Sequence, residues 1–277
     1  MFVANKSNPI GVFDSGYGGL TVLKEIVKKL PQYDYIYLGD NARAPYGTRS
    51  FETVYTYTLE CVNQLFSMGC ELVIVACNTA SAKALRTIQQ VDLPLIDKNK
   101  RVLGVIRPTT EIVSKYTRTG HVGVLGTTGT VVSESYPIEI AKFSSKIKVT
   151  QEACPIWVPL VENNELDNEG TDFFVRKNIQ NLLKKDKKID AIILGCTHYP
   201  LLIKKIKKHL PKGIKIISQG EIVAKSLSNY LKRHPEIDKK CSKNGEIKFY
   251  TTDSVYNFDI SAANFFGKAV KSKHIRL

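Results

Sequence analysis

Short apolar, β-branched runs alternate with segments of helical periodicity along this chain, and this alternation limits the fold more than any other feature. One helical segment places apolar residues at Leu20, Leu23, Ile26, Val27 and Leu30, the spacing of an amphipathic helix. Strands that alternate with helices predict an α/β fold with mainly parallel, doubly wound sheets. Nine strands are predicted: Ile10–Phe13, Tyr35–Leu38, Leu72–Ala76, Val102–Ile106, Val122–Leu125, Ile147–Thr150, Ala191–Leu194, Ile214–Ile217 and Ile247–Tyr250.

Several of these runs lack polar alternation, which is typical of strands covered by helices on both faces. In such folds the functional groups lie just past the carboxyl ends of the strands, where loops lead into helix N-termini. The residues that follow each predicted strand are therefore the first candidates for a site.

Length and composition exclude several classes of protein. The 277 residues fit one large domain or two small ones, and 43% hydrophobic with 24% charged residues fits a folded protein. The longest apolar runs are too short to span a bilayer, and MFVANKSNPI at the start lacks the apolar core of a signal peptide. These features predict a cytoplasmic protein without a membrane partner.

The six cysteines do not form the spacings of known cysteine-rich sites. They contain no CxxC pair, which argues against a zinc ribbon or a thioredoxin-like redox site, and their density is below that of a disulfide scaffold. Free thiols are therefore expected at all six positions, namely Cys61, Cys70, Cys77, Cys154, Cys196 and Cys241.

The formal net charge of +14 raises the question of a nucleic-acid partner. The excess lies mainly in lysine-rich stretches at 184–188, 204–215 and 239–240. The first two accompany apolar residues at helical spacing, as on the solvated face of an amphipathic helix, and few aromatics are interleaved for base stacking. We therefore predict a solvated surface and no nucleic-acid partner.

Two of the cysteines share a local context. VIVACNTASA at 73–82 and IILGCTHYPL at 192–201 each show an apolar strand, a cysteine, a threonine within two residues and then a helix. This echo predicts that Cys77 and Cys196 occupy corresponding positions in two similar α/β halves. A sulfur beside a helix N-terminus is favoured as a thiolate.

Two thiols in matching settings suggest two roles of the same kind. One thiol on each face of a carbon acid would remove a proton from one side and deliver one from the other, which inverts a stereocentre. His198, two residues beyond Cys196, is close enough to tune that thiol, although a lone histidine is more often structural.

Other strand ends carry polar turns. GVFDSGYGGLTVL at 11–23 is a strand, a glycine-rich turn and a helix, but Thr21 breaks the dinucleotide fingerprint. Asp14 and Ser15 are either a helix cap or ligand-binding groups. GDNARAPYGTRS at 39–50 reads as a turn, and Gly126-Thr127-Thr128-Gly129-Thr130 suits a carboxylate.

These segments, in this order, together with CPIWVPLVE and LGCTHYPLL, resemble the cofactor-independent glutamate racemases of bacteria, within the aspartate/glutamate racemase superfamily. The resemblance runs from position 11 to about 201. It implies two α/β domains with the active site in the cleft between them. It also implies interconversion of L- and D-glutamate without cofactor or metal, for peptidoglycan synthesis, cell-wall biogenesis and cell shape, with a homodimer as the expected assembly.

The resemblance assigns roles to particular residues. Cys77 and Cys196 match the two acid/base thiols, and Asp14, Asp40, Glu152 and His198 match groups that tune them. The substrate-contacting positions are matched by Asp14, Ser15, Tyr46, Gly47, Asn78, Thr79, Thr197 and His198, and the turn at 126–130 adds Thr127 and Thr130.

The predicted domain division places 1–103 with 217–277, which carries Cys77, and 104–216, which carries Cys196, in separate domains. Two alternatives stay open. One is a relative that acts on aspartate, hydantoins or arylmalonates, against which His198 argues, since aspartate racemases carry an acidic residue there. The other is a basic nucleic-acid-binding or regulatory protein that has lost activity.

Overall fold

The computed structural model describes residues 8–277, so most of the segment that argued against a signal peptide lies outside it. Within this range the chain alternates strands and helices, as predicted. The strands are β1 (Ile10–Asp14), β2 (Tyr35–Gly39), β3 (Leu72–Val75), β4 (Arg101–Gly104), β5 (His121–Gly126), β6 (Lys148–Ala153), β7 (Ala191–Gly195), β8 (Lys215–Ile217), β9 (Ile247–Thr251) and β10 (Ser272–His274).

Helices connect nearly all of these strands. They are α1 (Gly19–Lys29), α2 (Phe51–Ser67), α3 (Asn78–Lys83), α4 (Leu85–Thr87), α5 (Leu93–Ile96), α6 (Ile106–Thr110), α7 (Thr128–Val132), α8 (Ser135–Phe143), α9 (Trp157–Glu162), α10 (Glu169–Lys185), α11 (Ile203–His209), α12 (Gly220–Arg233), α13 (Pro235–Asp238) and α14 (Val255–Phe266). Side-chain caps fix several starts: Ser50 and Asn168 accept the backbone N–H three residues on, at the N-termini of α2 and α10.

The strands form two fully parallel sheets. The large sheet has the order β10-β9-β2-β1-β3-β4, and the small sheet has the order β6-β5-β7-β8. In each sheet the chain first adds a strand on one side of the first strand and then crosses to its other side. The strand order therefore reverses between β1 and β3 in the large sheet and between β5 and β7 in the small sheet. A doubly wound α/β fold is therefore observed, and ligands bind such sheets at that reversal point.

Both faces of the strands are buried, which explains the missing polar alternation. Val12 of β1 packs in one apolar cluster with Leu23 of α1, whereas its neighbour Phe13 packs in a second cluster with Val62 of α2. In the small sheet, Leu194 and Ile193 of β7 divide between two clusters in the same way. Parallel strands are covered by helices in this manner because crossover connections place helices on both faces.

All nine predicted strands are present, with small differences at their ends. β4 ends at Gly104 rather than at Ile106, because Val105 and Ile106 lead into α6. β10 was not predicted, since Ser272–His274 carries no apolar residue and pairs only along the outer edge of β9. The proposed domain division separates the two sheets, but its boundaries at 103/104 and 216/217 cut the last residues of β4 and β8.

The basic stretches at 184–188 and 204–215 lie partly on α10 and α11, whereas 239–240 follows the end of α13. Ile206 of α11 is buried, whereas Lys204, Lys207 and Lys208 are exposed, and Lys208 Nζ donates to Asp172 Oδ1 at 3.0 Å. Across residues 8–277, no helix combines the length and the apolar character needed to cross a bilayer.

Candidate active site

A cavity of about 120 Å³ lies where loops from the carboxyl ends of both sheets meet. Its lining includes ten residues that the sequence had singled out: Ser15, Tyr46, Gly47, Cys77, Asn78 and Thr79 from the large sheet's side, and Thr127, Cys196, Thr197 and His198 from the small sheet's side. A larger open groove, of about 540 Å³, is lined by residues such as Lys24 and Glu221 and includes neither of these cysteines. We therefore take the smaller cavity as the candidate active site.

The two cysteines reach this cavity by equivalent routes. Cys77 follows β3 and Cys196 follows β7, which are the third strands of their sheets and flank the point where the winding reverses. The corresponding positions expected from the sequence echo are therefore observed. All six cysteines are free in the structure, and all are buried.

Cys77 is held as the N-cap of α3. Its Sγ accepts the Ala80 backbone N–H at 3.5 Å and lies 3.3 Å from Ser15 Oγ. Burial and the charge of Asp14 nevertheless raise the pKa of the Cys77 thiol to about 12, although the bonds with Ser15 and Ala80 act in the opposite direction. With this pKa, Cys77 is a protonated thiol at neutral pH.

Asp14 lies behind Cys77 and does not line the cavity. Its Oδ2 accepts the Gly16 backbone N–H at 3.0 Å, and its Oδ1 is buried with no hydrogen-bond partner among the described residues. Burial raises the pKa of this carboxyl, and the charge of His198 opposes that shift. Asp14 is therefore placed to influence Cys77 from behind and does not contact a ligand in the cavity.

Cys196, His198 and Glu162 form a chain of contacts. His198 Nδ1 lies 3.7 Å from Cys196 Sγ, and His198 Nε2 lies 2.9 Å from Glu162 Oε1. Burial disfavours a charged ring, but the bonds to Cys196 and Glu162 outweigh it and raise the pKa of His198 to about 10. His198 is therefore an imidazolium at neutral pH, placed between the Cys196 sulfur and the Glu162 carboxylate.

Glu162 was missed by the sequence reasoning, and Glu152 was chosen in its place as a tuning group. The structure places Glu152 away from the cavity: its carboxylate accepts from Asn178 Nδ2 at 3.1 Å and Lys185 Nζ at 2.7 Å on α10. Glu162 ends the CPIWVPLVE segment, four residues after Val158, and both line the cavity. That helical spacing within the motif was the available signal.

Asp40 and Thr130 support residues that line the cavity. Asp40 is fully buried at the end of β2 and accepts hydrogen bonds from the Tyr46 hydroxyl, from Arg43 Nε at 2.7 Å and from Thr252 Oγ1 at 2.9 Å. Thr130 donates its backbone N–H to Thr127 Oγ1 at 3.2 Å. Both residues therefore fix a neighbour rather than face the cavity.

Direct contacts close the cavity between the two sheets. Thr79 Oγ1 and Thr127 Oγ1 lie 2.9 Å apart, and Gly129 N donates to Gly47 O at 2.8 Å. On the other side, Thr21 Oγ1 donates to Thr197 O at 2.9 Å. The cavity is therefore bridged on two sides by contacts between the sheets, and charges buried in its walls interact more strongly than they would in water.

This chain is similar in sequence and in structure to known racemases. The sequence model of the Asp/Glu/hydantoin racemase family matches residues 10–227. A glutamate racemase of Geobacter metallireducens is 41% identical over 259 residues, covering 93% of this chain and 92% of its own. One of Persephonella marina is 43% identical over 251 residues, covering 90% of each.

Solved structures agree with the sequence matches. A glutamate racemase isoform of Bacillus anthracis superposes with a TM-score of 0.89 at 39% identity, covering 98% of both chains. The glutamate racemase of Francisella tularensis, solved in complex with D-glutamate, superposes with a TM-score of 0.86 at 32% identity over the same share. This chain belongs to the Asp/Glu/hydantoin racemase family and is an isomerase of the racemase class.

Proposed function

We propose that this protein interconverts L- and D-glutamate by a two-base transfer of the α-proton, with Cys77 and Cys196 as the two acid/base groups. The observation that carries the proposal is that both thiols line one cavity, each placed there by the third strand of its own sheet. The glutamate specificity rests on the relatives, one of which was solved with D-glutamate bound.

The proton balance of the reaction is simple. A thiolate removes the α-proton from one face of the substrate, and the thiol opposite donates its proton to the other face of the carbanionic carbon. The first sulfur ends as a thiol and the second as a thiolate, so the free enzyme is left ready for the opposite enantiomer. No net proton enters or leaves.

The surroundings of the two sulfurs prepare them unequally. Cys77 is a thiol at neutral pH, with its pKa near 12, and Asp14 and Ser15 lie beside it. At the other side, protonated His198 lies against Cys196 Sγ while Glu162 balances the imidazolium charge. We infer that Cys196 acts first as the base and Cys77 as the acid. Which enantiomer each sulfur serves is left open.

The carboxylates of the substrate would be held by neutral donors. The residues that line the cavity include no lysine or arginine, whereas they include Ser15, Asn78, Thr79, Thr127 and Thr197. Hydroxyl and amide donors fixed in a closed site stabilise negative charge without reorganisation during the reaction. They would therefore support both the ground-state carboxylates and the charge that develops on the α-carbon.

Incubation in deuterium oxide tests the reaction. From L-glutamate we expect an equal mixture of enantiomers, with one deuterium at Cα, because the reprotonating thiol exchanges its proton with solvent. Proton NMR and chiral chromatography measure both quantities, and L-aspartate under the same conditions tests specificity. Retained optical rotation without α-deuterium would reject the racemase assignment.

We further propose that the product supplies peptidoglycan synthesis in the cytoplasm, and that the chain functions as a homodimer. Restored growth of a bacterial strain that requires added D-glutamate tests the first point. A molar mass measured by light scattering tests the second.

The close packing of Gly18 against the site gives a separate prediction. A methyl group added there would lie 2.3 Å from Thr197 Oγ1 and 2.4 Å from His198 Nδ1. Gly18→Ala is therefore expected to displace both side chains and to lower kcat/KM for glutamate about tenfold to a hundredfold, since misplacements near 1 Å have such costs. Gly170→Ala is the control, because its added methyl group would meet only Asn168 Oδ1, at 3.4 Å. Equal activity of Gly18→Ala and wild type would contradict this packing.

A further inference from the structure

Gln219 is a buried amide on the connection by which the chain returns from the small sheet to the large one. It lies between β8 and α12, and only 3% of its surface is exposed. It does not line the cavity, and its side chain does not cap the helix that follows it. A buried primary amide must still satisfy its donors and acceptor.

The hydrogen bonds of Gln219 close a ring with Asn78 and Tyr136. Asn78 Nδ2 donates to Gln219 Oε1 at 2.7 Å. Gln219 Nε2 donates to the Tyr136 hydroxyl oxygen at 2.9 Å, and that hydroxyl donates to Asn78 Oδ1 at 2.7 Å. Each of the three side chains therefore donates once and accepts once within the ring, and all three are nearly inaccessible to solvent.

The ring fixes the orientation of the Asn78 amide, with Nδ2 toward Gln219 and Oδ1 toward Tyr136. A flipped Asn78 would place its NH₂ group against the Tyr136 hydroxyl and its oxygen against Gln219 Oε1, so that two acceptors would face each other. Burial raises the pKa of Tyr136 far above its ordinary value, so the hydroxyl remains a donor. Asn78 Nδ2 carries two hydrogens, and the ring uses one of them, which leaves the second for a ligand.

Gln219 also links this ring by hydrogen bonds to the segment that follows β4, where the chain passes from the large sheet to the small one. Its Nε2 donates to Val105 O at 3.0 Å and lies 3.4 Å from Thr109 Oγ1. Val105 directly follows β4, where the chain leaves the large sheet, while Gln219 lies where it returns. One side chain therefore connects both crossings to an amide in the cavity wall.

We propose that Gln219 is a positioning residue for the reaction: through the ring with Tyr136 it orients the Asn78 amide so that its free N–H binds a substrate carboxylate. This inference rests on the function proposed above. We take this carboxylate to be the side-chain one, whose charge does not change when the α-proton is removed, so the contact holds substrate and transition state alike. The loss caused by breaking the ring is therefore expected in KM rather than in kcat.

The test measures steady-state kinetics of Gln219→Leu and Tyr136→Phe with L- and D-glutamate. Gln219→Leu is expected to raise KM about tenfold or more and to change kcat less than about threefold. Tyr136→Phe keeps the buried aromatic side chain and loses only the hydroxyl, and it is expected to change KM in the same direction. Gln89→Leu is the control, since that exposed glutamine donates to Val102 O at 2.6 Å near β4 but does not line the cavity.

A double-mutant cycle separates positioning from a general loss of stability. In an Asn78→Ala background, Gln219→Leu is expected to add less than about a twofold change, because the residue acts through Asn78. An equal rise in KM in both backgrounds would overturn the proposal. So would a loss confined to kcat, or a KM that Gln219→Leu leaves unchanged while the wild-type enzyme is active. If Gln219→Leu does not fold by circular dichroism, the cycle with Tyr136→Phe decides. Absence of racemisation by the wild-type chain would instead reject the proposed function.

Discussion

Alanine at either Cys77 or Cys196 is expected to lower kcat for racemisation at least about a thousandfold in both directions, the range in which a positioned acid or base contributes. Each direction needs one sulfur as base and the other as acid, so neither residue is spared in either direction. Both side chains line the same cavity and are largely buried, so water is poorly placed to replace either sulfur. Chiral chromatography of each reaction, started from each enantiomer, measures the loss.

The single variants should also differ from each other. A variant that keeps one sulfur can still remove the α-proton from one face of the substrate. In deuterium oxide that sulfur exchanges the proton for deuterium and returns the deuterium to the same face. We therefore expect slow exchange without inversion for one enantiomer in Cys77→Ala and for the other enantiomer in Cys196→Ala. This result would assign each sulfur to its enantiomer.

Cys70→Ala is the matched control for these variants. Cys70 is also buried, and its Sγ lies near Gly11, at the opposite end of β1 from the cavity. Its loss is expected to leave kcat and KM unchanged. Near-normal turnover by Cys77→Ala or Cys196→Ala would show that the two thiols do not share one catalytic centre.

The second large effect concerns the charge on His198. In the wild type its pKa is near 10, so the imidazolium persists through neutral pH and is lost only in the alkaline range. Glu162→Gln removes one of the partners that raise this pKa, so the imidazolium should be lost at a lower pH. The alkaline limb of kcat/KM is then expected to move down by about one to two pH units, the usual effect of one nearby opposite charge.

Three further measurements check this assignment. His198→Asn removes the charge altogether and is expected to lower kcat about a hundredfold at pH values below the His198 pKa of about 10, with the difference from wild type narrowing above it. Glu165→Gln, an exposed carboxylate just beyond α9, should leave the profile unchanged. The NMR titration of the His198 ring should follow the kinetic limb in wild type and in Glu162→Gln. An alkaline limb that does not move in Glu162→Gln would contradict the role of this pair.

The amino-acid sequence predicts the strands of this fold well, because strands buried on both faces must be apolar. It fails at β10, whose residues are polar and whose place at the edge depends on β9. The positions of Cys77 and Cys196 at strand ends follow from the same reasoning, since their apolar contexts repeat.

Glu162 and Gln219 could not be identified in that way. Each acts through a partner that is distant in sequence, His198 for Glu162 and Asn78 for Gln219, and only the folded chain brings these pairs together. Glu152 shows the converse: a carboxylate near the expected place along the chain is bound on α10 by Asn178 and Lys185. Local pattern therefore predicts strand ends, while tertiary contacts decide which polar side chains serve the site.

The order of the strands also bears on how the chain folds as it leaves the ribosome. β5 to β8 are contiguous, so the small sheet can form as soon as residues up to 217 have emerged. The large sheet must wait, because β9 pairs with β2 and begins only at Ile247. We expect the nascent chain to hold a finished Cys196 half while the Cys77 half still exposes the edge of β2. A C-terminal shortening that removes β9 should then leave an aggregation-prone chain, because an unpaired edge strand is a template for intermolecular pairing.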